Sequence, residues 1–164
     1  MDLSALAGIV GGVAVAGVGM IYSAVTGGGF WSLPNRIGGI LAGAEAGNTR
    51  SFGMVTLVGV YFHMLLSAIC GIAIVYFAHQ LNIGFVFAGI AVGIFFWLFN
   101  HFLIGSASEG ARKHVQFNPV WLVIEVLVTP AIRLRIALGV LDVTFLLHVL
   151  YGAVTGLVAI ALIR

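Results

Sequence analysis

Charge is what this sequence has least of. Only 7% of its 164 residues are Asp, Glu, Lys or Arg, seven basic against five acidic, for a net charge of +2. A water-soluble domain carries about 25% charged residues. Twelve such side chains do not solvate a folded surface of this size. A soluble enzyme and a disordered chain are therefore excluded, and the small, scattered positive balance offers nothing to nucleic acid. Cysteine is nearly absent: Cys70 stands alone, so no intrachain disulfide and no C-x-x-C pair exists. The three prolines, Pro34, Pro119 and Pro130, all lie outside the longest apolar runs. The start, Met1-Asp2-Leu3, has no basic residues before its apolar stretch, so the first segment is expected to stay in the mature chain rather than leave as a signal peptide. Also missing are G-x-x-x-x-G-K-[ST], H-E-x-x-H and G-x-S-x-G. Gly27-Gly28-Gly29 is not followed by the Lys-Ser/Thr of a phosphate loop, and no nucleophile is spaced to meet a base. Enzymatic activity is not expected.

What is present is apolar: 62% of the chain. Four runs, at about 3–24, 54–79, 84–105 and 143–163, reach the roughly 20 residues a spanning helix needs. In lipid an isolated strand leaves its backbone groups unpaired, so helices are the available form. The expected fold is all-α: one polytopic membrane domain over 1–164, with four transmembrane helices in a compact bundle. Only Gln80-Leu81-Asn82-Ile83 separates the second and third runs, which predicts a tight hairpin. Two long connections remain. The first, from Val25 to Gly53, holds Phe30-Trp31 and Pro34, and its stretch from Ile37 to Ala46 reads as a short surface helix. The second, from Ser106 to Asp142, contains the run from Val120 to Thr129 between Pro119 and Pro130, too short to span. The segment at about 120–141 is expected to lie in the interface, with Trp121, Arg133 and Arg135 at headgroup depth and Trp31 as the matching aromatic of the first connection. Glu125 is read as a surface partner for Arg133 or Arg135, and Asp142 as a charge on the N-terminal end of the last helix.

Arg36, Arg50, Arg112, Lys113, Arg133 and Arg135 sit in the two long connections, against Arg164 at the other side. The positive-inside bias predicts cytoplasmic long loops and outward termini, in a cell inner membrane.

Residues four apart share a helix face. At that spacing the helices carry Ser4, Gly8, Gly12 and Ala16; Gly59, His63, Ser67 and Gly71; Gly89, Gly93, Trp97, His101 and Gly105; and Thr144, His148, Gly152 and Gly156. Small residues let backbones approach where no hydrophobic drive exists between helices, so these stripes are expected to be packing faces. The halves also resemble each other. The segment from His63 to Gly71 aligns with that from His148 to Gly156, and Ala7-Gly8-Ile9 with Gly12 aligns with Ala88-Gly89-Ile90 with Gly93. That is the pattern of a parallel repeat of a two-helix unit.

His63, His101 and His148 lie on the stripes. Two readings stand: a shared site for a haem, a (bacterio)chlorophyll or a metal, or three separate hydrogen bonds that lock neighbouring helices. The second is favoured, because no Cys, Asp or Glu joins them within the apolar runs. Offsets from the helix ends put His101 and His148 at one level and His63 about 6 Å deeper. No metal is expected, and no haem held by all three.

The order of these marks, Ala7-Gly8-Ile9, then His63 with Ser67 and Gly71, Gly89 and Gly93 with Trp97, and His148-x-x-Tyr151-Gly152, resembles an uncharacterised family of small four-helix bacterial inner-membrane proteins. The resemblance implies a polytopic fold and brings no activity with it. The stretch from Glu109 to Asp142 is longer than that pattern, which suggests a surface added for a partner. With almost no extramembrane domain and glycine-striped helices, the expected role is a small accessory subunit of a larger membrane complex, respiratory or photosynthetic. The alternatives are a homo-oligomeric transporter or channel, and a haem- or pigment-binding protein. The expected partners are the lipid bilayer and other membrane subunits, not nucleic acid.

Overall fold

The computed structural model describes residues 2–99 and 143–163. The described residues form six helices and no strand: α1 (Leu3–Val25), α2 (Ser32–Ala42), α3 (Ala44–Gly47), α4 (Met54–Leu81), α5 (Phe85–Phe99) and α6 (Val143–Ile163). Three helices are long and apolar enough to cross a membrane: α1, α4 and the stretch Thr144–Ile163 of α6, with mean hydropathies of 2.0, 2.1 and 2.2. Their lengths correspond to about 30–42 Å at 1.5 Å per residue, against a hydrocarbon core of about 30 Å. The shorter α5 is apolar throughout its described length. The continuation expected to about residue 105, the 120–141 segment, and with them His101, Trp121, Arg133 and Arg135, lie outside the described residues.

The ends of α1 and α4 have local causes. Asp2 caps α1, its carboxylate accepting from the Ser4 amide at 2.8 Å and the Ser4 hydroxyl at 2.5 Å. α1 ends where Gly27 and Gly29 adopt positive φ (84° and 95°), conformations that glycine reaches without steric penalty. Thr56 sits three residues after the N-cap Gly53 and accepts from its amide at 3.0 Å, half of a capping box. Asn82, in the left-handed region (φ 51°), closes α4 and turns the chain directly into α5.

The first long connection differs from its expected form. In place of one helix from Ile37 to Ala46, α2 begins five residues earlier, at Ser32, and the tail becomes the separate turn of α3. Pro34 lies in the first turn of α2, where a proline forfeits no intrahelical hydrogen bond. It therefore marks the helix start rather than a loop. α2 also turns back into the bundle. Leu33 packs against Gly19, a turn and a half before the end of α1. Gly38 lies on the Val55 carbonyl and Gly59 on the Pro34 carbonyl, so α2 runs antiparallel to the first turns of α4.

The long helices pack antiparallel, α1 on α4, α5 on α6 and α1 on α6, with α4 and α5 joined as the expected hairpin. Two kinds of contact hold them. Within the pairs α1–α4 and α5–α6 the contact is backbone on glycine. Between the pairs it is side chains: Val15 from α1, Cys70, Ile74 and Ala78 from α4, Ala88 and Val92 from α5, and Tyr151 from α6 form one buried cluster. The outward faces carry exposed Val13, Val18 and Ile21 on α1, and Leu57, Tyr61, Ile69 and Ile72 on α4. An apolar exterior around a glycine-packed interior suits lipid as the surrounding solvent.

Candidate functional site

The stripe glycines sit at helix crossings. A Cβ on Gly8 would strike the Ser67 carbonyl and lie 2.9 Å from Gly71, while one on Gly71 would strike the Ser4 carbonyl. Gly12 faces Ser67, with His63 beyond it. In the other pair, Gly89 and Gly152 lie on each other's carbonyls, Gly93 lies on the carbonyl of His148, and a Cβ on Gly156 would come within 2.6 Å of Phe85 and Val86. Gly59 is set apart from the rest of its stripe: it contacts Pro34 of α2, whereas His63, Ser67 and Gly71 face α1. A second face on α1, Gly11 against Thr155 and Gly19 against Leu33 and Leu147, has the same four-residue spacing one residue out of register with the first. Its signal in the sequence is the Gly11-Gly12 doublet, in which only Gly12 falls in the first register.

Two of the three candidate histidines are described. His63 Nε2 donates to the Gly12 carbonyl at 3.1 Å, across helices. His148 Nδ1 donates to the Thr144 carbonyl at 2.7 Å, within its own helix. A carbonyl only accepts, so these bonds place the proton on Nε2 of His63 and Nδ1 of His148. The expected level difference changes. The crossings of α1 with α4 and of α1 with α6 place His63 and His148 about two residues apart along the bundle, about 3 Å rather than 6 Å. Counting from helix ends assumes that the ends are level, whereas the glycine crossings fix depth directly. Among the described residues no three of His, Cys, Asp and Glu come together to hold a metal.

The buried polar groups act between elements. The Tyr151 hydroxyl donates to the Ser67 carbonyl at 2.8 Å, tying α6 to α4 beside Cys70. The most connected is Asn35, fully buried at 0% exposure. Its Nδ2 donates to the carbonyls of Thr49 (2.8 Å) and Ser51 (3.0 Å) and reaches Thr49 Oγ1 at 3.1 Å. Its Oδ1 accepts from the Thr56 hydroxyl at 2.5 Å. One side chain thus fastens α2, the segment before α4, and α4 itself. Beside it Trp31, the N-cap residue of α2, meets Phe30 and Phe52 edge-to-face at 4.8 and 5.0 Å. At the opposite end an open cleft of about 410 Å³ lies between Asp2, Ser4, Ile72, Tyr76 and Ile163.

No protein-family model, no curated protein and no solved structure matches the chain. Its function is therefore argued from its own geometry.

Proposed function

We propose that this chain is a polytopic membrane protein that serves as a small accessory subunit of a larger membrane complex in a bacterial inner membrane, with four spanning helices, cytoplasmic long loops and outward termini. α1, α4 and α6 supply three of the spans. The fourth is the one that α5 begins. The observation that carries the role is the closure of the interior. At Gly8, Gly71, Gly89 and Gly152 one backbone lies on another, and the inter-pair space is filled by the cluster around Ile74 and Tyr151. A bundle closed at its crossings presents its chemistry outward, as an assembly element does. A conduit would instead need space among its helices. The imidazoles fit this role as well, because His63 and His148 each engage a backbone carbonyl.

Purification in mild detergent, with mass spectrometry of co-purifying chains and an absorption spectrum, tests the reading. A stoichiometric heteromeric partner is expected. A homo-oligomer with no partner would favour the transporter reading. A Soret or chlorin band lost on replacing His63 or His148 would favour a pigment protein.

A further inference from the structure

We propose that Arg36 and Arg50 together bind the phosphate of an anionic phospholipid headgroup. The proposal rests on the membrane reading above and names a ligand for one corner of the bundle. The Asn35 clamp is its first support. Asn35 is the residue before Arg36, and its buried amide holds the carbonyls of Thr49 and Ser51, the two residues that flank Arg50. Both arginine backbones are thereby anchored to one side chain. Their neighbours fix them further: Gly47 lies against the Cα of Arg36, and Gly29 against the Cβ and Cγ of Arg50.

The second support is charge. Arg36 and Arg50 are exposed, and neither forms an ion pair with another described residue. The one acidic residue on the neighbouring turn, Glu45, is likewise exposed and outside any ion pair among the described residues. Two arginines anchored by their backbones to one side chain can converge on a single phosphate, which would gain an attraction from each. The guanidinium fork also matches phosphate oxygens in pairs.

The third support identifies the source of the phosphate. Exposed apolar groups lie on the same elements: Phe30 and Phe52 beside Trp31, and Ile40 and Leu41 on α2 after Arg36. These surfaces suit acyl chains and gain nothing from a free ion. Trp31, held edge-to-face by Phe30 and Phe52, is of the residue type enriched at headgroup depth. Arginines there reach outward to the negatively charged leaflet.

The test uses the full-length protein reconstituted into vesicles of equimolar phosphatidylcholine and phosphatidylglycerol. Spin-labelled lipids report which headgroup occupies the protein's boundary. A preference for phosphatidylglycerol is expected. It should weaken roughly fivefold for each of Arg36→Gln and Arg50→Gln. Lysine at either position should keep the attraction but lose part of the selectivity. Glu45→Gln should preserve or strengthen the preference. A preference unchanged in the Arg36→Gln/Arg50→Gln double variant overturns the site, and displacement by millimolar inorganic phosphate overturns the lipid as its ligand. If the wild-type chain inserts but shows no preference, the proposal fails while the membrane reading stands. If it is extracted by alkaline carbonate, both fail.

Discussion

At the scale of single residues, polar side chains in this protein matter by what they fasten. Thr56 shows this best. It is fully buried, accepts from the Gly53 amide and donates to Asn35 Oδ1, so it joins the cap of α4 to the clamp on α2. Thr56→Val keeps the shape and removes both bonds. Unfolding in detergent should show a loss of about 1–3 kcal/mol, because Asn35 Oδ1 is left buried without its donor. Thr56→Ser should recover most of it. Asp2 offers a test by pH. The Ser4 hydroxyl and amide hold its carboxyl below the ordinary value of 3.8. A depressed carboxyl stabilises the cap above its unfolded pKa and loses that effect as the pH falls through its folded pKa. The Ser4 amide proton shift should therefore titrate with a midpoint below 3.8, and a midpoint at or above it would remove Asp2 as an ionised cap. Little at this scale is legible in the sequence. Asn35 sits between Pro34 and Arg36 with nothing to mark it as buried, because its partners lie 14 to 21 residues away. His63 bonds across helices as expected, though which carbonyl it meets depends on helix register, whereas His148, expected to reach a neighbouring helix, bonds to Thr144 of its own.

At the scale of elements, glycine placement decides which helices touch. Gly93 lies on the His148 carbonyl and Gly152 on that of Gly89, so a leucine at either forces two backbones apart. Each should cost at least about 1–3 kcal/mol, seen as a lower midpoint in detergent unfolding. A control must come from a glycine with free space. Val92, one position off the stripe, looks suitable in the sequence, yet it is buried in the inter-pair cluster. Gly17 has nothing within 4 Å of the point a Cβ would occupy, and Gly17→Ala should be neutral or gain up to about 1 kcal/mol from helix propensity. Equal losses at Gly17, Gly93 and Gly152 would remove the packing argument. The long helices are legible because an apolar run of spanning length has one stable form in lipid. The starts of α1 at Leu3 and α4 at Met54 fall where the apolar runs begin. The start of α2 is not legible, because a proline reads equally as a loop or as a first turn, and the choice between them depends on the α4 surface that Gly59 opens to Pro34.

At the scale of the whole molecule, the two helix pairs use corresponding residues. The sequence alignment sets Gly8 beside Gly89, Ser67 beside Gly152 and Gly71 beside Gly156. In one pair Gly8 meets the Ser67 carbonyl and Gly71 meets that of Ser4. In the other, Gly89 meets the Gly152 carbonyl and Gly156 meets that of Phe85. The same two shifts in numbering carry one set of contacts onto the other. This correspondence is what a duplicated two-helix unit would give, although Gly12 meets the Ser67 side chain where Gly93 meets the His148 carbonyl. The sequence carries this repeat through its glycines and histidines together with Ala7/Ala88, Ile9/Ile90, Leu65/Leu150 and Ala68/Ala153. The halves differ at buried positions, where Cys70 corresponds to Thr155, but also at a crossing, where Ser67 corresponds to Gly152 and the carbonyl contact is kept while the side chain is not. It follows that Gly71→Ala and Gly156→Ala should be equivalent lesions, each pressing a methyl group onto the backbone of the preceding helix. Each should cost about 1–3 kcal/mol. The two losses should agree to within about 0.5 kcal/mol and add in the double variant, because the crossings lie in separate pairs and share no partner. Detergent unfolding of the two single variants and the double decides it. Tolerance of alanine at one position with collapse at the other would mean that the pairs are unrelated in construction, whatever their sequences share.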